Sequence, residues 1–300
     1  MVAYLFAGQG SQYIGMGRDL YESFPESKAV FDRANEALGI DLKDFCFNGP
    51  QEALRATNIS QPAILTVTLA AFAAFKKRLN ARPVFMAGLS LGEYTALIAS
   101  GALAFEGGLK LVKKRAELMD DAAGRHPGKM AAILDLDLKK IQELCLKSGA
   151  EIANINAPNQ IVISGKKEAV EEAIGLARSA GAKRVIELEV SGAFHSSLMS
   201  EAAEGLKVFL DKAQISPPGI PVVSNYTARP QERPEQIREN LRFQMYSPVK
   251  WSDSMKFILS QGVSKFFEFG PGKVLKGLMR RIDSNAEVIS IEKKEDILAA

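Results

Sequence analysis

Apolar residues along this chain form short continuous runs at 2–7 and 84–88, and longer periodic stretches at 29–38 and 63–75. The short runs predict buried strands and the periodic ones predict helices, so the first part of the chain reads as an α/β layer with parallel strands. The rhythm changes after Lys129. Strand-like runs at 130–134, 152–155, 161–164 and 184–190 are then interleaved with amphipathic stretches at 138–147 and 168–180. That order, β-α-β-β-α-β, predicts a ferredoxin-like unit inserted into the larger layer. The expected organisation is a large α/β-hydrolase-like domain with a parallel sheet at 1–125 and 195–300, and a small ferredoxin-like domain at 126–194. After Ser200 helices and short strands resume, with Pro217-Pro218 and Arg229-Pro230 marking loops.

The strand at 84–88 runs directly into Gly88-Leu89-Ser90-Leu91-Gly92 and out into Glu93-Tyr94-Thr95-Ala96-Leu97-Ile98-Ala99, a helix-compatible run ending at Gly101. Strand, Gly-x-Ser-x-Gly and helix together describe a nucleophile elbow. Its glycines permit a strained turn that lifts the serine hydroxyl above the sheet, at a helix N-terminus. The pentapeptide alone is a weak pattern; the flanking elements give it meaning.

Composition narrows the possibilities. With 300 residues and 47% hydrophobic content the chain can bury a large core, and 38 basic against 35 acidic side chains leave a net charge of +3. Nothing in that balance asks for nucleic acid or a membrane surface. The first residues lack a positive n-region, and they fit a buried strand better than a signal peptide. The 63–75 run contains Thr66 and Thr68 and is too short to cross a bilayer, which predicts a core helix. Cys46 and Cys145 lack ligand-like spacing, so neither a disulfide framework nor a metal site is expected, and a cytoplasmic location is the default.

A serine hydroxyl needs a base, and the chain contains only His126 and His195. His126 sits in Gly124-Arg125-His126-Pro127-Gly128 and reads as an exposed loop residue. His195 follows apolar Phe194 at the junction between the two expected domains, where a crevice would lie, and is the candidate general base for Ser90. Acyl transfer also needs free N–H donors. Leu91 follows the serine, and Gln9, in the glycine-flanked turn after the first strand, is the second candidate; that turn also reads as a plain tight turn or a phosphate-friendly nest. In the helical stretch after Gly108, Arg115 falls beside the apolar face at Leu111, Leu118 and Met119. A guanidinium turned inward needs an anionic partner, either a structural Asp or Glu or the carboxylate of a substrate.

With these residues in place the chain resembles the malonyl-CoA:acyl carrier protein transacylases, within the acyltransferases of fatty acid and polyketide synthesis. The matching segments are Gly8-Gln9-Gly10-Ser11-Gln12, Gly88 to Glu93, Lys114-Arg115, Asn156 to Gly165, Ala193-Phe194-His195-Ser196 and Gly270-Pro271-Gly272, in the family's order over essentially the whole chain. The resemblance implies that Ser90 is acylated, that His195 is the base, and that the Gln9 and Leu91 N–H groups hold the oxyanion. It also implies that Arg115 pairs with the malonyl carboxylate and that Gln61 lies near that arginine. Malonyl-CoA and acyl carrier protein are the implied partners, with the phosphopantetheine carried by the latter and no cofactor of the enzyme's own. Lysines near the mouth, among them Lys113, Lys114, Lys273 and Lys276, are candidates for steering an acidic carrier, set against their plainer reading as solvated surface.

One residue departs from the family's pattern: Leu89 stands where a histidine often precedes the nucleophile. Because the base comes from elsewhere, the substitution is expected to adjust packing and leave the chemistry intact. The group that orients His195 is not identifiable from sequence; the resemblance implies a main-chain carbonyl near Ser247-Pro248-Val249-Lys250. Three rival readings share much of this pattern: a polyketide-synthase acyltransferase, a serine thioesterase or hydrolase, and a non-catalytic acyl- or CoA-binding protein.

Overall fold

The computed structural model describes residues 1–79 and 81–300. Its strands in chain order are β1 (Val2–Phe6), β2 (Phe85–Gly88), β3 (Gly128–Leu134), β4 (Glu151–Ala157), β5 (Gln160–Lys166), β6 (Arg184–Glu187), β7 (Val222–Val223), β8 (Pro230–Gln231), β9 (Lys265–Phe269) and β10 (Glu287–Ile291). They form two sheets, one of six strands in the order β10-β9-β1-β2-β7-β8 and one of four in the order β4-β5-β3-β6.

The six-stranded sheet is parallel throughout except for β8, which runs antiparallel to β7 at the edge. Pro230, expected in a loop, opens that edge strand, a position where a missing N–H is tolerated. Both faces of the sheet are covered, and the strands alternate between two cores. Tyr4 and Phe6 of β1 and Phe267 and Phe269 of β9 join one core, whereas Ala3, Leu5 and Phe266 join the other with Trp251 and Met255. Near-continuous hydrophobicity in β1 follows from this double burial. Phe72 and Phe75, from the helix Thr57–Arg78, meet the first set edge-on, with ring centroids of Phe72 and Phe75 at 5.4 and 5.0 Å from Phe269. That helix is long and apolar enough to cross a membrane by length and composition, yet 83% of its most apolar window is buried inside the fold.

The four-stranded sheet is antiparallel. Ala131 and Ile133 of β3 pack under the helices Leu138–Ser148 and Lys167–Ser179, while Met130 and Ala132 face the main core. β6 stops at Glu187, short of the run expected to 190. Leu188 N–H still bonds Met130 O at 2.9 Å, and then the Val190 N–H turns back onto Leu188 O as the chain leaves toward Ser191. The four-stranded sheet is tied to the larger unit where Ile155 N–H donates to Val249 O at 2.9 Å and Val249 N–H to Ala153 O at 2.8 Å, so β4 is stitched to the segment just before the helix Trp251–Ser260. The stitch fixes one wall of a cleft between the sheets.

Candidate active site

β2 lies between β1 and β7, all three parallel, so the loops leaving their C-terminal ends converge. Ligands of open parallel sheets bind at such an edge. The loop after β1 supplies Gln9, the turn after β2 supplies Ser90, and the loop after β7 supplies Asn225.

Ser90 is the N-cap of the helix Leu91–Ala99, with φ 51° and ψ −100°. A non-glycine residue in that region is strained, and the strain persists only where neighbours over-determine it. Here they do. A Cβ on Gly88 would stand 2.0 Å from the Gly92 carbonyl, and one on Gly92 would stand 2.2 Å from Phe6 O, so the helix can start this close to the sheet only with glycine at both positions. Asn225 then clamps the turn: its Oδ1 accepts from Ser90 N–H at 2.6 Å, and its Nδ2 donates to Gly88 O at 2.8 Å.

Ser90 Oγ lies 2.8 Å from His195 Nε2. On the far side of the ring, Nδ1 is 2.7 Å from the main-chain oxygen of Gln244. A carbonyl only accepts, so the proton sits on Nδ1, and Nε2 presents its lone pair to the serine O–H. His195 also has a left-handed backbone, φ 57°, and is buried, so both facing residues are held in unusual conformations. Burial, and then the nearby Arg115 charge, push its pKa down from 6.5 to about 4, while the bond to Gln244 O works upward. The carbonyl lies three residues before the segment expected to supply it. His126 caps the helix Phe105–Arg125 and is exposed, with Nε2 3.8 Å from Glu201 and no place near Ser90.

Arg115, from the same long helix, is 1% exposed. It donates from Nη1 to Gln61 Oε1 at 2.7 Å, and from Nη2 to Ser90 Oγ at 3.0 Å and Gln244 Oε1 at 3.2 Å, with the Tyr94 ring centroid 5.4 Å from its Cζ. Among the described residues its Nε, also buried, has no partner. Among the described residues no carboxylate lies within ion-pair distance, and burial alone works against its charge. A buried cation held by neutral acceptors is an incomplete site for an anion.

Gln9 lines the cleft, and Gln61 Nε2 donates to its side-chain Oε1 at 3.3 Å. Among the described residues neither the Gln9 nor the Leu91 N–H has an acceptor in the protein, the latter because it heads a helix. Gly8 brings the first loop against the elbow: a Cβ there would stand 2.5 Å from Leu89 O. The cleft, about 480 Å³, is lined by Ser90, His195, Leu89, Met119, Met130 and Phe194 among others, with polar walls from Asn154 and Asn156. Leu89 contributes apolar surface to it and packs at the edge of the second core. Lys113 and Lys114 both pair with Glu117 on their own helix, whereas Lys273 lines a separate shallow groove with Arg280 and Arg281.

Sequence reasoning missed Asn225, Gln244, Glu93, Gln231 and Asn240. Glu93 is fully buried and accepts from Asn225 N–H, Gln231 Nε2 and Gln244 Nε2 at 3.0, 2.7 and 2.7 Å. Burial pushes its carboxyl upward, and these donors pull the other way. One signal was available, an acidic residue in the first turn of the elbow helix; the glutamines and asparagines carry none.

Residues 3–291 match the acyl transferase domain family. The malonyl CoA-acyl carrier protein transacylase of Bacillus subtilis is 45% identical over 301 residues, covering 99% of this chain and 95% of that protein. That of Staphylococcus aureus strain MRSA252 is 40% identical, covering 98% and 96%. Among solved structures, the malonyl CoA-acyl carrier protein transacylase of Coxiella burnetii superposes with a TM-score of 0.97 at 38% identity, covering 99% of this chain and 96% of that one. A malonyl-transacylase in complex with its type II PKS acyl-carrier protein gives 0.97 at 38%, covering 100% and 98%.

Proposed function

Because the chain belongs to the acyl transferase domain family and matches malonyl transacylases along nearly its whole length, we propose that it is an acyl-carrier-protein S-malonyltransferase serving fatty acid synthesis. The observation that carries the reading to this chain's own residues is the meeting of Ser90 Oγ with His195 Nε2 at 2.8 Å and Arg115 Nη2 at 3.0 Å. A nucleophile, its base and an unpaired buried cation share one atom.

In the first half-reaction, Ser90 Oγ attacks the thioester carbon of malonyl-CoA while His195 Nε2 takes the hydroxyl proton. The carbonyl oxygen becomes an oxyanion, for which the free N–H groups of Gln9 and Leu91 are the donors. The carbon–sulfur bond then breaks, the imidazolium returns its proton to the CoA sulfur, and malonyl-Ser90 remains. In the second half, the carrier's phosphopantetheine thiol gives its proton to His195 and attacks the ester. Ser90 Oγ leaves and is reprotonated. Arg115 faces the distal carboxylate throughout and gains a charged partner beside its neutral ones, which favours malonyl over uncharged acyl groups. Leu89 supplies only apolar wall in this scheme.

The complex of a 38%-identical transacylase with a type II PKS carrier favours a second reading, in which this chain loads a polyketide carrier by the same chemistry. Steady-state kinetics with purified carrier proteins tests both. Double-reciprocal plots against malonyl-CoA and carrier should be parallel, and Ser90→Ala should abolish transfer. Intersecting lines, or transfer surviving in Ser90→Ala, would contradict a covalent route, and the higher kcat/KM between the two carrier types identifies the physiological one.

A further inference from the structure

The buried carboxylate beneath the elbow has no part in the proton transfers just described, and it makes no direct ion pair, its nearest cation being felt only through space at Arg115. Glu93 is 0% exposed, and among the described residues no lysine or arginine lies within ion-pair distance of it. It is the third residue of the elbow helix, yet it does not form a reciprocal cap with Ser90, whose N–H is already taken by Asn225 Oδ1.

Its oxygens are occupied by donors. Oε2 accepts from the Asn225 main-chain N–H at 3.0 Å and from Gln244 Nε2 at 2.7 Å; Oε1 accepts from Gln231 Nε2 at 2.7 Å. Gln231 in turn accepts from Asn240 Nδ2 at 2.9 Å. A main-chain N–H cannot exchange donor for acceptor, so the atom at Oε2 must be an acceptor, and Gln244 must turn its NH2 inward. The same NH2 also donates to Ser90 O at 3.0 Å. The amide oxygen is thereby forced outward, onto Arg115 Nη2 at 3.2 Å. A reversed amide would set NH2 against guanidinium and oxygen against two oxygens.

We propose that Glu93 is a positioning residue for acyl-group selection, acting through Gln244: by fixing that amide it gives Arg115 a neutral acceptor in a set place and leaves the guanidinium charge for the substrate's carboxylate. The proposal rests on the malonyl-transfer reading above. It explains why a single residue, Gln244, is used twice, its main-chain oxygen on His195 and its side chain on Arg115. Base and selectivity cation are then held in one frame. Glu93 acts as an acceptor, and its charge is secondary.

The test compares the rates at which malonyl-CoA and acetyl-CoA load Ser90 in the full-length wild type, Glu93→Gln, Glu93→Ala and Gln244→Met. Glu93→Gln keeps an oxygen on the Asn225 N–H and turns its amine toward Gln231, which accepts it once the Gln231 and Asn240 amides reverse together. Its malonyl-to-acetyl ratio should stay within about threefold of wild type, whereas Glu93→Ala and Gln244→Met should lose about tenfold or more of that ratio, the effect of one misplaced hydrogen bond to a charged group. Parallel losses with both acyl groups would assign Glu93 a purely structural role and overturn the proposal. A ratio in Glu93→Gln as low as in Glu93→Ala would overturn it in favour of a charge effect. Should Glu93→Ala not fold, by circular dichroism, Gln244→Met and Glu93→Gln decide the outcome between them. A wild-type protein that loads no malonyl group contradicts the transferase reading itself, a separate result.

Discussion

Proton activity is the most direct probe of the His195 environment. The imidazole is pushed down from 6.5 to about 4, first by burial and second by the Arg115 cation. That difference corresponds to about 3 kcal/mol in favour of the neutral ring. Nearly every folded molecule then has a free Nε2 at neutral pH. The unfolded chain binds a proton near the ordinary value, so this stabilisation is complete above about pH 6.5 and is lost as pH falls toward about 4. For catalysis the same shift predicts that acylation under kcat/KM conditions is flat between about pH 5 and 8 and drops near tenfold per pH unit below about 4. Arg115→Met removes the second cause and leaves the first, so the acid limb should rise while staying below the ordinary value. A malonyl carboxylate on Arg115 acts in the same direction, so the limb measured in kcat should lie above that in kcat/KM. The assay is single-turnover CoA release after a pH jump, short enough to precede acid unfolding. A wild-type limb near 6.5, or one that Arg115→Met leaves unmoved, would refute the claim that the ring is buried beside that cation.

Three further outcomes are expected. Arg115→Ala should depress malonyl loading by about a hundredfold or more, as expected for a buried charge-assisted pair, and acetyl loading far less; equal losses in a rapid-quench assay would remove the carboxylate clamp. Gly92→Ala places a Cβ 2.2 Å from Phe6 O and 3.0 Å from Ala7 O, so denaturant unfolding should show a loss of about 3 kcal/mol with Ser90 loading impaired, and an unchanged midpoint would contradict the close approach. Leu89→His should alter turnover by less than about tenfold, because the wall it changes touches neither proton transfer; a gain of orders of magnitude would show the native site to be impaired.

The architecture was legible in the sequence wherever burial imposed a strict period. β1 and β2 read as continuous hydrophobic runs because both sheet faces are covered, and the β3–β6 unit read through its alternating helices. Ser90 could be found because an elbow needs glycine on both sides, and His195 because only two histidines exist. Arg115 was marked by helical spacing alone. The supporting frame was invisible: Asn225 and Gln244 lie 135 and 154 residues from Ser90, and a polar amide bears no mark of which distant atom it meets. β8 was missed because proline is an edge-strand residue only once its neighbour is known.

The central claim is that Ser90 carries the malonyl group between two thiols. Intact mass spectrometry of the protein mixed with malonyl-CoA, followed by peptide mapping, tests it in one series. The expected result is an added mass of about 86 Da on Ser90, stable until the carrier protein's phosphopantetheine thiol is supplied and then transferred to it. No adduct on Ser90, or an adduct that decays equally fast in buffer without the thiol, would contradict a transferase.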